Sequence, residues 1–362
     1  MSHVGDLTEF HDELRVVARD LLARNAAHTA VDWTLIARSG WLGLEAPARF
    51  DGADATFAEV AVILREIGRA AAPGPYPAVG VLGLGALNLL EPCQGRDQLL
   101  GHTVSGAAVP VVALAGETPS ERPFRITRTP VGLTVQGAAT FVLDAPAADR
   151  LLLPALDPEG TPVVVAVDPR TVGLTVTEQP VLDATRCFGR VIADGVEVRP
   201  ESLWQFHGDP QHAFQRLRDR AAVAVACDSL GLSEAMLDAT VTYAGVREQF
   251  GRKIGSFQAV KHACADMLVQ VTVSRKLVAA AVRSQAEDDP NAAVAASMAK
   301  SYACAAAVDV AGKAMQLHGG MGYTWESGIH VYLKRATLNR SLFGSPAQHR
   351  RLLAERYVVA VQ

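Results

Sequence analysis

Residues 243–262 read YAGVREQFGRKIGSFQAVKH and hold the densest set of groups able to do chemistry. Arg247 presents a planar fork of donors suited to phosphate or carboxylate. Phe250 offers a face for a planar ring. Gly251 and Gly255 let backbone come close to a ligand. Residues 238–243 and 260–267 carry helical patterning, so the stretch reads as a helix end, a tight turn and a new helix start. A site for a planar, anionic ligand accounts for these residues. So does an ordinary charged helix C-terminus with a glycine stop. A second stretch, Gln316-Leu-His-Gly-Gly-Met-Gly-Tyr323, again ends an Ala-rich helix with a polar side chain and clustered glycines.

The elements that position both stretches are long helices. Segments 214–243, 258–285, 291–317 and 346–359 are Ala-rich, with proline only at a first position, and predict an antiparallel bundle over 206–362. The many alanines imply close helix contact, including packing between subunits. Residues 1–105 also read as helical: Leu7, Phe10, Leu14, Val17 and Leu21 recur at helical spacing, as do Phe57, Val60, Ala61, Leu64 and Ile67. Gly83-Leu-Gly85 lacks a preceding strand and a third glycine, so it predicts close helix packing and not a dinucleotide loop. Between them, 106–205 changes texture. Short β-branched runs at 132–135, 140–143, 151–153, 163–167 and 174–176, separated by Gly, Pro and Asp, predict a β barrel or sandwich. The fold class is therefore mostly α with a central β domain.

Composition narrows the function. Of 362 residues, 49% are hydrophobic and 20% charged, enough for a large core and against disorder. A net charge of −4 argues against nucleic acid as main partner. Cys93, Cys187, Cys227, Cys264 and Cys304 show no metal spacing and read as reduced thiols in a cytoplasmic protein. No apolar run reaches membrane length, and no histidine pair has metal spacing. His262 and His318, beside the two motifs, read either as supports behind a ligand site or as helix-surface residues, and the absence of a partner that would tune their proton chemistry favours the surface.

Together, YxxxRxQFGxxIxxFQxxxH and QxHGGxGYxxE resemble the C-terminal half of the acyl-CoA dehydrogenases, a flavoprotein family. GWLGLEAPARFDG near the N-terminus extends the resemblance over nearly the whole chain. The resemblance implies a helical domain, a β domain and a four-helix bundle in that order, with FAD as cofactor. It also implies α,β-dehydrogenation of an acyl-CoA thioester and delivery of electrons to a transfer acceptor. Family members share each flavin between two subunits. The neighbour's share corresponds here to Arg247, Phe250, Gln258, Gln316, Gly319 and Gly320, all retained.

Other family features are altered. The catalytic glutamate of a Tyr-Glu-Gly turn becomes Phe343 in Leu342-Phe343-Gly344. The alternative base position, counted back from Arg247 without a gap, falls on Ala221, beside Ala222 where many members carry arginine. Loss of a positioned base costs on the order of 10²–10⁴ in rate. Asp219 matches an aspartate that helps bind acyl-CoA; it, Asp228 or a group from elsewhere could replace the base, although an Asp near a helix start more often serves the helix dipole or cap. The family's Thr-Glu-Pro-Gly-x-Gly-Ser-Asp run is largely absent from 111–120, and Phe141-Val142-Leu143-Asp144 replaces Trp-Ile-Thr-Asn. The resemblance thus implies a subunit with an intact donated half-site and a degraded site of its own, in a tetramer with a homologous catalytic partner. Bacterial mixed tetramers acting on bulky acyl chains, including steroid side-chain thioesters, are similar. A self-sufficient homotetramer with an unrecognised base and a flavin-free scaffold or acyl-CoA-binding protein are the alternatives.

Overall fold

The computed structural model describes residues 3–23, 32–116, 123–130 and 132–359. Five helices come first: α1 (His3–Ala23), α2 (Trp33–Arg38), α3 (Phe57–Arg69), α4 (Leu84–Leu89) and α5 (Gln94–Val104). Eight strands follow: β1 (Pro110–Val112), β2 (Phe124–Thr129), β3 (Gly132–Leu143), β4 (Arg150–Leu156), β5 (Pro162–Val167), β6 (Leu174–Glu178), β7 (Phe188–Val198) and β8 (Leu203–Gln205). Helices then return: α6 (Pro210–Val246), the two-residue strands β9 (Glu248–Gln249) and β10 (Arg252–Lys253), α7 (Gln258–Ala286), α8 (Ala292–Leu317), α9 (Ile329–Ser341) and α10 (Pro346–Val359). Helical regions thus flank a central mixed sheet, the order the sequence predicts.

Some details differ from the sequence reading. In α1 the helical spacing holds, but Phe10 and Val17 are exposed, and Ala18, Leu21 and Leu22 form the buried face. Leu7 lies outside the described side chains. The runs 132–135 and 140–143 are one strand, β3. Its partner β7 has no matching run in the sequence, because Gly189, Asp194 and Gly195 interrupt its apolar alternation. Helix α9 likewise lacks an apolar face in the sequence, since its buried residues include Arg335 and Asn339.

The chain forms two compact units that are not contiguous in sequence. One comprises Val31–Val60 and Gly74–Ala221 and contains the sheet. Its strand order is β6-β7-β3-β2-β4-β5-β8, with β1 added parallel to β4. β5 is buried along its whole length, as its unbroken Val163-Val-Val-Ala-Val167 run requires. Gly83 and Gly85 lie at the join of a π-helical turn (Pro77–Gly83) and α4. A Cβ on Gly83 would meet the Pro110 carbonyl, and one on Gly85 the Arg220 side chain, which is the close packing expected. Arg220 forms an ion pair with Glu45, donates to the Val81 carbonyl at 2.7 Å and covers the Phe57 ring.

The second unit comprises Met1–Ala30, Ala61–Pro73 and Ala222–Gln362. Here α3 and α6 touch at backbone distance. A Cβ on Gly231 would lie 1.9 Å from the Arg65 carbonyl oxygen, and one on Gly68 2.1 Å from that of Asp228. The crossing is locked by charge: Arg65 donates twice to Glu234, at 2.7 and 2.6 Å, and Arg275 of α7 adds bonds of 3.0 and 2.7 Å to the same carboxylate. α9 is held by the fully buried Arg335, which faces Asp228 at 3.4 Å, and by Asn339, which donates to Asp228 at 2.6 Å.

Candidate functional site

The first motif is a hairpin at the end of α6. The last helical bond runs from Arg247 N–H to the Tyr243 carbonyl at 2.8 Å. β9 and β10 then pair antiparallel through a two-residue turn, Phe250-Gly251, with φ of +55° and +75°. Two successive positive φ values mark a type I′ turn, where Asn-Gly is the usual choice. Phe in this conformation costs roughly 1–2 kcal/mol. The ring that carries this strain is 92% exposed. It meets Phe257 edge-on at 6.3 Å, and the Arg252 guanidinium sits 4.0 Å from the Phe257 centroid. Ile254 N–H closes the hairpin onto the Arg247 carbonyl at 2.8 Å.

Gln258 opens α7 and is exposed; Phe257 before it provides no capping side chain. The Val260 and Lys261 N–H groups both bond to the Phe257 carbonyl at 3.1 Å, so the helix starts at Gln258 without a side-chain cap. Arg247 is exposed, and its guanidinium forms no ion pair among the described residues.

The second motif caps α8. Gln316 is exposed in the last turn, Gly319 has φ +58°, and Gly319–Tyr323 forms a 3-10 turn. An added Cβ on Gly319 or Gly320 would find nothing within 4 Å, so the backbone there faces open space. Gly322 instead presses on the Met315 carbonyl and fixes the turn against α8.

His318 joins the motifs and corrects the surface reading. It is buried, its ring stacks on Tyr243 with centroids 4.4 Å apart, and Nδ1 lies 2.8 Å from the Ala314 carbonyl. A carbonyl only accepts, so Nδ1 carries the proton. His262 is exposed on α7, as expected. The structure therefore brings Arg247, Phe250, Gln258, Gln316, Gly319 and Gly320 onto neighbouring ends of three helices. The signal that locates the link is modest: an aromatic residue four before Arg247 and an imidazole two after Gln316.

Asp219 belongs to the other unit. It is 9% exposed, and burial pushes its carboxyl up to about 6, even though Gln215 donates to it at 2.8 Å and Arg218 and His212 favour the anion. Asp228 is committed to Arg335 and Asn339, which makes it a structural acceptor and not a free base.

The remaining positions are apolar. Ala221 and Ala222 are buried. Phe343 is 3% exposed, with φ +53°, in the turn after α9. That turn is held from several sides. His349 Nε2–H donates to the Phe343 carbonyl at 2.9 Å, and the buried Lys300 ammonium donates to the Asn339 and Arg340 carbonyls at 2.9 and 3.3 Å. In the sheet, Phe141 sits at a bulge in β3 with φ +50°, its N–H bonded to the Gln179 side chain at 2.7 Å, and Leu143 is buried. Val111–Gly116 is buried throughout; Glu117, Thr118, Pro119 and Ser120 lie outside the described residues. Among the described residues no group of three or more His, Cys, Asp or Glu is placed to hold a metal, and no helix is long and apolar enough to cross a membrane.

A mixed sheet between helical regions, with a hairpin and a glycine turn set side by side at the bundle end, is the architecture of flavoprotein dehydrogenases of acyl thioesters. Comparison with known proteins agrees. Residues 213–358 match the acyl-CoA dehydrogenase C-terminal domain, and residues 8–92 the N-terminal domain. Acyl-CoA dehydrogenase IpdE2 of Mycolicibacterium smegmatis is 30% identical over 329 residues, covering 89% of this chain and 87% of that protein. Among solved structures, the ChsE4-ChsE5 complex from Mycobacterium tuberculosis superposes with a TM-score of 0.84 at 27% identity, covering 99% of this chain and 98% of that one. A structure titled "Tcur3481-Tcur3483 steroid ACAD G363A variant" gives 0.86 at 26% identity, covering 98% and 99%. The chain belongs to the acyl-CoA dehydrogenase family.

Proposed function

We propose that this chain is a subunit that completes the FAD site of a homologous catalytic partner, in an assembly that dehydrogenates an acyl-CoA thioester at its α and β carbons. The observation that carries this reading is an asymmetry. The exposed set Arg247, Phe250, Gln258, Gln316, Gly319 and Gly320 is complete, while Ala221, Phe343, Phe141 and Leu143 are apolar where the family uses a base or ring contacts. A chain with no use for flavin has no reason to keep a strained, exposed Phe250 beside an unpaired Arg247.

The donor set suits FAD. Arg247 supplies a fork for the pyrophosphate, worth roughly 1.5–3 kcal/mol as a charge-assisted contact. Gln258 and Gln316 supply carboxamides, and the backbone at Gly319 and Gly320 is open to close approach. Phe250 supplies a stacking face. FAD held there would supply the hydride acceptor for the acyl β-carbon. The part of this chain is to bind and orient the flavin; it supplies no carboxylate at either usual base position. Asp219 is proposed to contact the acyl-CoA.

The pairing of two different subunits in the ChsE4-ChsE5 complex and in the Tcur3481-Tcur3483 steroid dehydrogenase supports a homologous partner subunit for this chain, in a tetramer on this reading, and lipid or steroid degradation as the setting. An electron-transfer acceptor would then reoxidise the flavin.

The test is flavin absorbance and acyl-CoA oxidation, measured for the chain alone and co-expressed with a homologous dehydrogenase subunit. Flavin and activity only in the co-expressed complex support the proposal. Flavin and normal turnover in the chain alone overturn it in favour of a homotetramer, in which Asp219, near neutral, is the candidate base. No flavin in either sample favours a scaffold.

A further inference from the structure

We propose that Trp325 anchors this chain to a homologous catalytic acyl-CoA dehydrogenase subunit, the one whose flavin the Gly319-Gly320 turn completes. The identity of that partner rests on the function proposed above; the anchor rests on its own geometry. Trp325 is 80% exposed, flanked by Tyr323 at 72% and Met321 at 47%. Tryptophan is highly buried on average, and a cluster of exposed aromatic and Met side chains is the composition of an interface centre.

This ridge is prepared for docking. Its backbone is a run of closed turns: Thr324 N–H bonds to the Met321 carbonyl at 3.1 Å, Ser327 Oγ to the Thr324 carbonyl at 3.0 Å, and Gly328 N–H to the Trp325 carbonyl at 3.2 Å. His330 packs edge-on against the indole at 4.6 Å and 81°, and the Lys334 ammonium lies 5.5 Å over the indole face. A side chain already held this way loses little freedom on binding.

His330 adds an independent observation. Both its ring nitrogens are shielded from solvent, and neither has a hydrogen-bond partner among the described residues. A shielded, unmet imidazole is costly and rare. A docked chain that covers Trp325 and turns the His330 ring toward a backbone carbonyl or N–H of its own would meet it.

The occupant follows from continuity. Met321 and Tyr323 belong to the same 3-10 turn as Gly319 and Gly320. Whatever chain holds the flavin reached by those glycines is therefore within reach of the ridge. The helices behind the hairpin carry a matching apolar feature: an open groove of about 450 Å³ lined by Leu237, Val241, Cys264 and Leu268. Half of the large apolar side chains exposed among the described residues fall in segments 241–269 and 321–325, which also carry the half-site. A second copy of this chain would fill the same surface without supplying a catalytic base.

The experiment measures association of the full chain with a candidate catalytic subunit from the same genome, by sedimentation and by tryptophan fluorescence. Trp325→Ala is expected to weaken the complex at least ~30-fold, with the melting temperature of the isolated chain changed by less than about 2 °C. Trp325→Phe is expected to retain most of the affinity, and His330→Leu to weaken it several-fold. Association of Trp325→Ala within about threefold of wild type overturns the anchor. Self-association of the chain alone that Trp325→Ala abolishes overturns the choice of occupant in favour of a second copy. Arg247→Ala separates the two proposals: it is expected to lose flavin while the complex stays intact. If it keeps its flavin, the half-site reading fails while the Trp325 result stands.

Discussion

Tyr243 and His318 stack face to face, their ring centroids 4.4 Å apart and their planes within 21°. One residue lies in the last turns of α6 and the other caps α8, so the contact sets the hairpin beside the glycine turn. An aromatic pair of this kind contributes about 0.5–1.5 kcal/mol beyond its area burial. Tyr243→Ala is expected to lower both the denaturation midpoint and flavin retention in the complex, although Tyr243 is not assigned to the ligand. His318→Phe, which keeps the stack and loses the Nδ1–H bond to Ala314, is expected to retain more of both. Denaturant titration and flavin absorbance read the two effects.

Arg247→Ala is expected to weaken flavin retention by roughly 1.5–3 kcal/mol, the value of a lost charge-assisted contact. Arg247→Lys should recover only part, because an ammonium cannot reproduce the fork. The bundle should still fold, since Arg247 is exposed and makes no ion pair among the described residues. Flavin per subunit and melting temperature are measured on the same complex. Unchanged flavin with the complex intact would sink the shared-site reading.

Wild-type chain alone is expected to oxidise acyl-CoA far more slowly than an ordinary ~10 s⁻¹. Phe343→Glu places a carboxyl in a site only 3% exposed, where the anion is disfavoured. It should restore activity only if this subunit also holds a flavin. Single-turnover bleaching of bound flavin by substrate distinguishes the cases.

Asp219 gives a pH signature. Burial raises its carboxyl in the folded state from an ordinary 3.8 to about 6. The native state therefore binds more protons than the unfolded state between those values, and stability falls as pH rises through that window. A rise from 3.8 to about 6 corresponds to about 3 kcal/mol at most. Asp219→Asn should flatten stability between pH 4 and 6 and stabilise the chain at pH 7, and it is expected to weaken acyl-CoA binding. Urea unfolding at several pH values checks the first expectation, and thioester titration the second.

Gly231→Ala tests the α3–α6 crossing. The added methyl would lie 1.9 Å from the Arg65 carbonyl oxygen, so the helices must part. A loss of at least about 1–3 kcal/mol is expected, together with loosening of the Arg65–Glu234–Arg275 bridge. An unchanged unfolding midpoint would show that the helices can separate freely.

The sequence by itself determined the order of helix, sheet and helix, because periodicity changes near residues 106 and 205 and is a local property. It also determined which residue types stand in the two motifs. Helix α9 and strand β7 were not legible, because their buried positions carry Arg335 and Asn339 in one and glycines in the other, and only partners distant in sequence make those residues core. His318 shows the same limit: beside two glycines it reads as surface, and only the arrival of Tyr243 from α6 buries it. The exposure of Phe250 and Trp325 was likewise decided by tertiary structure. Whether an aromatic ring is covered depends on what packs over it, and here the neighbours of Phe250 and Trp325 touch each ring yet leave it 92% and 80% exposed.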